Sequence, residues 1–252
     1  LLELGCPARV YIPLEEVSRL ESLPGEGPEG CAVLPRVWRD RDEPALRTLL
    51  ERARALGFTG VLIGNLGHLP LVRGLNFHLY GDYGLNVFNS RSLAYLKDKE
   101  LESACVSFEL RFAQIRDLKK VLRAEAIVYG RLPLMITENC LVQNETGCRL
   151  DRQGPCVPED GPCRCGQPNV LVDRTGAAFP LLPAYGHRTE IQNSKPLYLA
   201  DRPEHRRLGL AYARLRFTTE TAEECVSVVQ NYLDAAPAAG DFTRGLYERG
   251  VE

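Results

Sequence analysis

Between Arg9 and Met135 the chain alternates short apolar runs with amphipathic segments, and this alternation restricts the fold more than any other feature. RVYIP (9–13), AVLPRVW (32–38), GVLIGN (60–65), NFHLYGDY (76–83), CVSFEL (105–110) and 126–135 read as six strands. Helical patterns fall between most of them: Leu14–Leu23, Arg91–Lys97, Phe112–Leu122 and, most clearly, Pro44–Leu56. In the last, Leu46, Leu49, Leu50, Ala53 and Leu56 share a face, Pro44 suits the first turn and Gly57 the end. Ser90 is placed to cap the helix at 91–97. SLPGEGPEG (22–30) is a loop by its Gly and Pro content. Strands without regular polar alternation suit a parallel sheet covered on both faces, either doubly wound or part of a (β/α)₈ barrel. Ligands sit at the carboxyl ends of the strands in both.

The pattern ends after Met135. Residues 137–168 show little periodicity and hold Cys140, Cys148, Cys156, Cys163 and Cys165, spaced C-x₇-C-x₇-C-x₆-C-x-C. A loop this long inside a compact domain needs something to hold it. Thiolates from an irregular loop suit a tetrahedral metal or an iron–sulfur cluster, and ligation supplies the energy that orders the loop. No paired C-x₂-C knuckles are present, which excludes a zinc ribbon or finger. His187, in AYGHRTE, is the nitrogen ligand to weigh beside these thiols, although a single His is more often structural. His68 and His78 read as structural. Asp82, Asn86, Glu109 and Glu138 are expected to form a polar rim, with capping as their ordinary role.

Val170–Asp173 and Ala177–Leu182 read as a hairpin around Arg174–Gly176, Leu208–Phe217 as a strand, and Thr221–Leu233 as a helix with Cys225, Val228, Val229 and Leu233 inward. The organisation expected is a barrel portion over 1–136, a cysteine-rich insertion and hairpin over 137–205, and a closing strand–helix and tail over 206–252. A net charge of −2 gives no global argument for nucleic acid or membrane. Locally, Arg188, Lys195, Arg202, Arg206, Arg207, Arg214 and Arg216 outnumber Glu190, Asp201 and Glu204, which is either a solvated charged face or a phosphate-contacting surface. No apolar run reaches the ~18–20 residues that span a bilayer. The chain opens LLELGCPARVYIP, with neither Met nor a basic leader, so Leu1 is read as an arbitrary start within a longer protein. Clustered cysteines without an export signal suggest metal and a cytoplasmic location. G-x-S-x-G, H-E-x-x-H, G-x-x-x-x-G-K-[ST] and G-x-G-x-x-G are all missing, which removes support for serine-hydrolase, zincin and nucleotide-hydrolase chemistry. A Cys/His peptidase using Cys140 or Cys148 with His187 stays open, since such pairs form in space and not in sequence.

GDYGLNVFNS (81–90), FELRFAQIRDL (108–118), YGRLPLMITENC (129–140), NSKPLYLADR (193–202) and FTRGLYERGV (242–251) together resemble the U32 peptidase family, the collagenase-like proteases, nearest to the C-terminal portion of long bacterial members. The resemblance implies a TIM-barrel-type α/β domain, partial or complete, followed by a cysteine-containing segment. Despite its name, the family includes members associated with oxygen-independent hydroxylation of a tRNA uridine (with prephenate as donor), of an rRNA cytidine, or of ubiquinone precursors. The last carry a [4Fe-4S] cluster on four cysteines. Carried onto this chain, the first two ligands are Cys140 and Cys148, and the third is Cys165 or Cys163. Gly186–His187 stands where a fourth cysteine is expected, so His187, both Cys163 and Cys165, or loss of the cluster are the options. The reading favoured is a cluster-dependent enzyme hydroxylating an RNA base, with RNA and a small hydroxyl donor as partners. A collagenase-like peptidase comes second and a zinc-stabilised binding module third.

Overall fold

The computed structural model describes residues 7–23, 27–146 and 167–251. The chain divides into two compact units: Leu1–Ile127 with Arg202–Arg214 and Gly245–Glu252, and Val128–Asp201 with Leu215–Arg244.

In the first unit, strands β1 (Arg9–Pro13), β2 (Glu29–Val33), β3 (Gly60–Ile63), β4 (His78–Gly81), β5 (Ser103–Cys105) and β6 (from Arg123) lie side by side in chain order. Every neighbouring pair is parallel: Arg9 sits opposite Glu29, Cys31 opposite Gly60, Gly60 opposite His78, Tyr80 opposite Ser103, and Ser103 opposite Arg123. Helices α1 (Glu43–Ala55), α2 (His68–Val72), α3 (Ser90–Asp98) and α4 (Phe112–Asp117) make the four crossovers from β2 to β6, as parallel neighbours require. Helix α1 forms where its pattern predicts, with Pro44 in the first turn and Leu46, Leu50 and Ala53 buried. Burying each Leu stabilises the unit by roughly 1.5–3 kcal/mol. Strand β3 is buried throughout, as a sheet covered on both faces demands.

Local chemistry trims several expected elements. Only a 3₁₀ turn, Leu14–Arg19, forms where a helix over 14–23 is expected. The second strand spans 29–33, not 32–38; Leu34 N still donates to Leu62 O (3.0 Å), but Pro35 has no N–H with which to continue. The fifth occupies 103–105, not 105–110, because the chain turns at Ser107, whose carbonyl accepts from Leu110 N. Helix α4 stops at Asp117, five residues short, with Leu118 extended and Lys120 Nζ donating to Ile115 O (2.6 Å). The cap of α3 is Asn89, whose Oδ1 accepts from Ser92 N (2.9 Å); Ser90 Oγ accepts from Lys119 N instead.

Residues 126–135, expected as one strand, split in two. Strand β6 ends at Gly130, and β7 (Pro133–Thr137) joins a separate sheet in the second unit. Gly130 has φ +114°, and a Cβ there would lie 2.0 Å from the Arg216 carbonyl oxygen, so only glycine allows the break. The second sheet is antiparallel, in the order β7, β10 (Arg188–Gln192), β9 (Ala178–Ala184), β8 (Asn169–Val172). The β8–β9 hairpin turns where expected: Asp173 Oδ1 accepts from Thr175 N and Ala177 N. Strands β10 and β11 (Leu197–Tyr198) have no counterpart in the sequence reading, and β11 pairs with Tyr129 and Gly130 at the end of β6. Strand β12 (Tyr212–Leu215) is shorter than expected and pairs with β6. Helix α6 (Ala222–Asp234) opens with a capping box, Thr221 Oγ1 accepting from Glu224 N while Glu224 accepts from Thr221 N. Val229 is buried and Val228 packs against Tyr129, Tyr198 and Ala200, but Leu233, expected inside, is exposed.

Candidate functional site

Cys140, the first of the clustered cysteines, follows β7 and begins α5 (Leu141–Thr146). It is a free, half-buried thiol; its Sγ accepts from Gln143 N (3.3 Å) and its carbonyl from Asn144 N (3.3 Å). His187 lies in the turn between β9 and β10, where Gly186 (φ +71°) and His187 (φ +58°) are successive left-handed residues. Antiparallel pairing of β7 with β10, Thr137 opposite Thr189, brings both residues to one end of that strand pair. Two links fix that end. Leu141 N donates to Thr189 Oγ1 (3.1 Å), and Arg188 grips Glu138 with Nε and Nη2 (3.1 and 3.0 Å). Glu138, expected in a rim with Asp82, is therefore the carboxylate that anchors the cysteine segment, and such forked pairs give orientation as well as energy.

Cys148, Cys156, Cys163 and Cys165 lie outside the described residues. Among the described residues no three His, Cys, Asp or Glu side chains come together as a metal-binding group. What the structure gives for Cys140 is a free thiol, partly screened from water, whose sulfur accepts one backbone N–H.

The second polar constellation is inside the first unit. The side chains of β1, β2, β4, β5, β6 and β12 that point to one face of the sheet meet each other, so the sheet is curled and its concave face is filled. Arg9 donates to Glu29 Oε2 (3.0 Å), Ser103 Oγ (3.0 Å) and Tyr212 OH (3.1 Å), and its guanidinium sits over the rings of Tyr80 and Tyr212. Tyr80 OH donates to Glu29 (2.9 Å). One layer further along the strands, Tyr11 OH donates to Glu125 Oε2 (2.8 Å), and Arg214 bridges Glu125 and Asp82. Gly60 makes room, since a Cβ there would meet Cys31 Sγ at 2.6 Å and the Tyr80 ring at 2.7 Å. Burial alone would lower the Arg214 pKa, but the Glu125 and Asp82 carboxylates outweigh it and hold it well above the ordinary value. Burial pushes the Cys31 and Cys105 thiols up, which leaves them unreactive.

Arg9, Tyr11, Glu29 and Glu125 were not singled out from sequence, and Arg214 was counted only in the basic excess over 188–216, not as a partner of these groups. The signal was present as charges at inward positions of otherwise apolar strands, such as Glu125 in RAEAIVYG. Asp82 belongs to this interior through Arg214 and not to an open rim. His68 is fully buried, as a structural reading expects; its Nε2 bonds Pro35 O (3.1 Å), Nδ1 has no partner, and burial pulls its pKa down to about 4. His78 pairs with Glu102 at the surface. Five of the basic residues between 188 and 216 face carboxylates: Arg188 with Glu138, Lys195 with Asp241, Arg202 with Glu248, Arg214 with Asp82 and Glu125, and Arg216 with Glu190.

No helix in the described residues is long and apolar enough to cross a membrane. No curated protein and no solved structure matches the chain. Residues 25–169 match Peptidase family U32, a stretch that runs from β2 through the cysteine segment and covers more than half of the 252 residues. By that match the chain belongs to peptidase family U32.

Proposed function

We propose that the protein is an iron–sulfur-dependent enzyme that hydroxylates a base in RNA, with a small molecule as hydroxyl donor. The curled parallel sheet is, in this reading, part of a TIM-barrel-type catalytic portion. The cysteine segment holds a [4Fe-4S] cluster through Cys140 and Cys148, with Cys165 or Cys163 and His187 completing the set. Family membership supports an enzyme. The observation that carries the cluster is the Cys140 thiol, free and half-buried, at the same end of the β7–β10 pair as His187. The chain's own residues do the positioning: Arg188 on Glu138 and Thr189 on Leu141 N hold the start of the segment against the His187 turn. When bound, the cluster supplies one-electron chemistry that protein side chains lack.

Anaerobic purification, followed by iron and acid-labile sulfide assays and a visible spectrum, tests the cluster. About four irons per chain are expected in the wild type, and a clear loss in Cys140→Ser and Cys148→Ser. A colourless protein that stays iron-free after reconstitution overturns it, and stoichiometric zinc without iron points to a structural zinc site instead. Mass spectrometry of nucleosides from cells lacking the full-length protein tests the substrate: a missing hydroxylated base supports the reading and an unchanged nucleoside profile refutes it.

A further inference from the structure

At the carboxyl ends of its parallel strands the first unit carries a small group of part-exposed aromatic and cationic side chains. Ligands of parallel α/β sheets sit at this end, where the loops that follow the strands gather. Arg36 follows β2, Tyr83 follows β4 and Phe108 follows β5. Their loops are stitched edge to edge: Leu34 N donates to Leu62 O (3.0 Å), Asp82 N to Ile63 O (2.8 Å) and Ser107 N to Val87 O (3.0 Å). The Tyr83 and Phe108 rings meet with 5.8 Å between centroids and 53° between planes. The Arg36 guanidinium sits over the Tyr83 ring, 5.1 Å from its centroid. Two glycines seat the stem of Arg36. A Cβ at Gly64 would meet Arg36 Cγ at 3.1 Å, and one at Gly84 would meet Arg36 Cδ at 3.3 Å and the Gly64 carbonyl oxygen at 2.6 Å.

Two adjoining rings with a guanidinium over one of them are the groups on which unpaired RNA bases stack. Unlike Glu125 and Arg214 deeper in the sheet, Arg36, Tyr83 and Phe108 all keep accessible surface. Phe88, in the same loop as Tyr83, is 36 % exposed. Asn86 adds hydrogen-bonding capacity. It closes the 3₁₀ turn Tyr83–Leu85 in the left-handed conformation (φ +51°), it is exposed, and its side-chain amide has no partner among the described residues. A carboxamide both donates and accepts, which matches the mixed edge of a nucleobase. A purely apolar ligand would leave that amide unused, and a bare phosphate would gain nothing from the rings.

We propose that Arg36, Tyr83 and Phe108 form a stacking platform for an unpaired base of single-stranded RNA, with Asn86 serving the base edge. That RNA is the partner rests on the function proposed above; the platform is where its base is held. Fluorescence anisotropy of the full chain with labelled single-stranded oligouridylate, and with an abasic oligomer of equal length, separates stacking from phosphate attraction. The wild type should bind oligouridylate about tenfold tighter than the abasic oligomer. Tyr83→Leu and Phe108→Leu keep apolar bulk and remove a ring, so each should weaken oligouridylate about fivefold or more and leave the abasic oligomer unchanged. Tyr83→Phe should match the wild type. Arg36→Lys keeps the charge and loses the plane, so it should weaken oligouridylate alone; this variant decides the matter if a Leu variant does not fold. Equal affinity of the wild type for the two oligomers, binding of neither, or wild-type affinity for oligouridylate in Arg36→Lys or in the folded Leu variants overturns the platform. An iron-free protein, or an unchanged nucleoside profile, with base-dependent binding still lost in these variants supports the platform and refutes only the cluster or the hydroxylation.

Discussion

His68 makes the first unit sensitive to mild acid, by an amount the structure allows to be worked out. The ring is fully buried, 6.0 Å from Trp38 between centroids, with Nε2 on the Pro35 carbonyl and Nδ1 facing no donor. Burial dominates, pulling its pKa from 6.5 to about 4; the Pro35 bond and the Asp82 charge oppose the fall without cancelling it. Above the unfolded value both states carry a neutral ring, and His68 adds no pH dependence. As pH falls below about 6.5 the unfolded chain takes up a proton that the folded chain refuses, so stability drops until the folded ring titrates near 4. The full gap corresponds to about 3 kcal/mol, most of which is lost by roughly pH 4.5. Urea unfolding of the wild type and of His68→Gln, at steps between about pH 7.5 and 4.5, isolates this contribution, because every other titrating group is common to both proteins. Gln keeps an N–H donor for Pro35 O but cannot titrate. Whatever its stability at neutral pH, the variant should lose about 2–3 kcal/mol less than the wild type across the range. Parallel pH curves for the two proteins would refute the assignment of a buried, neutral imidazole.

Three further substitutions probe the architecture. Glu125→Gln leaves Arg214 with one carboxylate in the interior and should cost about 3–5 kcal/mol in denaturant unfolding, whereas a cost below about 1 kcal/mol would mean the interior is wetter than its geometry implies. Gly130→Ala forces a side chain into φ +114° against the Arg216 carbonyl; a drop of at least about 2 kcal/mol is expected in the same assay, and a neutral result would contradict the close approach. Thr221→Ala removes the cap oxygen of α6 and should lower stability by about 1 kcal/mol, with Thr221→Ser close to wild type.

What could be read from sequence follows the range of the interactions involved. Helix α1 was legible because its start, its apolar face and its stop are encoded within a dozen neighbouring residues, and the β8–β9 turn because Asp173 bonds backbone only two and four residues away. The division of residues 126–135 was not. RAEAIVYGRLPLM is apolar almost throughout, and the reason it breaks at Gly130 is the Arg216 carbonyl, far along the chain. Strand β10 escaped for a related reason. RTEIQ is polar and short, with no strand pattern of its own, and it is a strand because β7 and β9 pair with it on both sides.

The same distinction separates the two polar constellations. Five cysteines within one loop are conspicuous in sequence because they are neighbours in the chain, whatever the fold does with them. The interior of the first unit is the reverse case. Arg214 and Glu125 are 89 residues apart, Arg214 and Asp82 132, and Arg9 and Tyr212 203. Each is unremarkable beside its sequence neighbours, and the set exists only because the sheet curls until β1 and β12 can touch the same groups. A single charge inside an apolar strand is nevertheless a usable sign, since a buried charge is tolerated only when paired. Applied to Arg9, Glu29, Glu125 and Arg214, which sit on four of the strands, that rule requires partners on other strands. A flat sheet would keep β1 and β12 too far apart to supply them, so the pattern of inward charges is itself evidence for curvature.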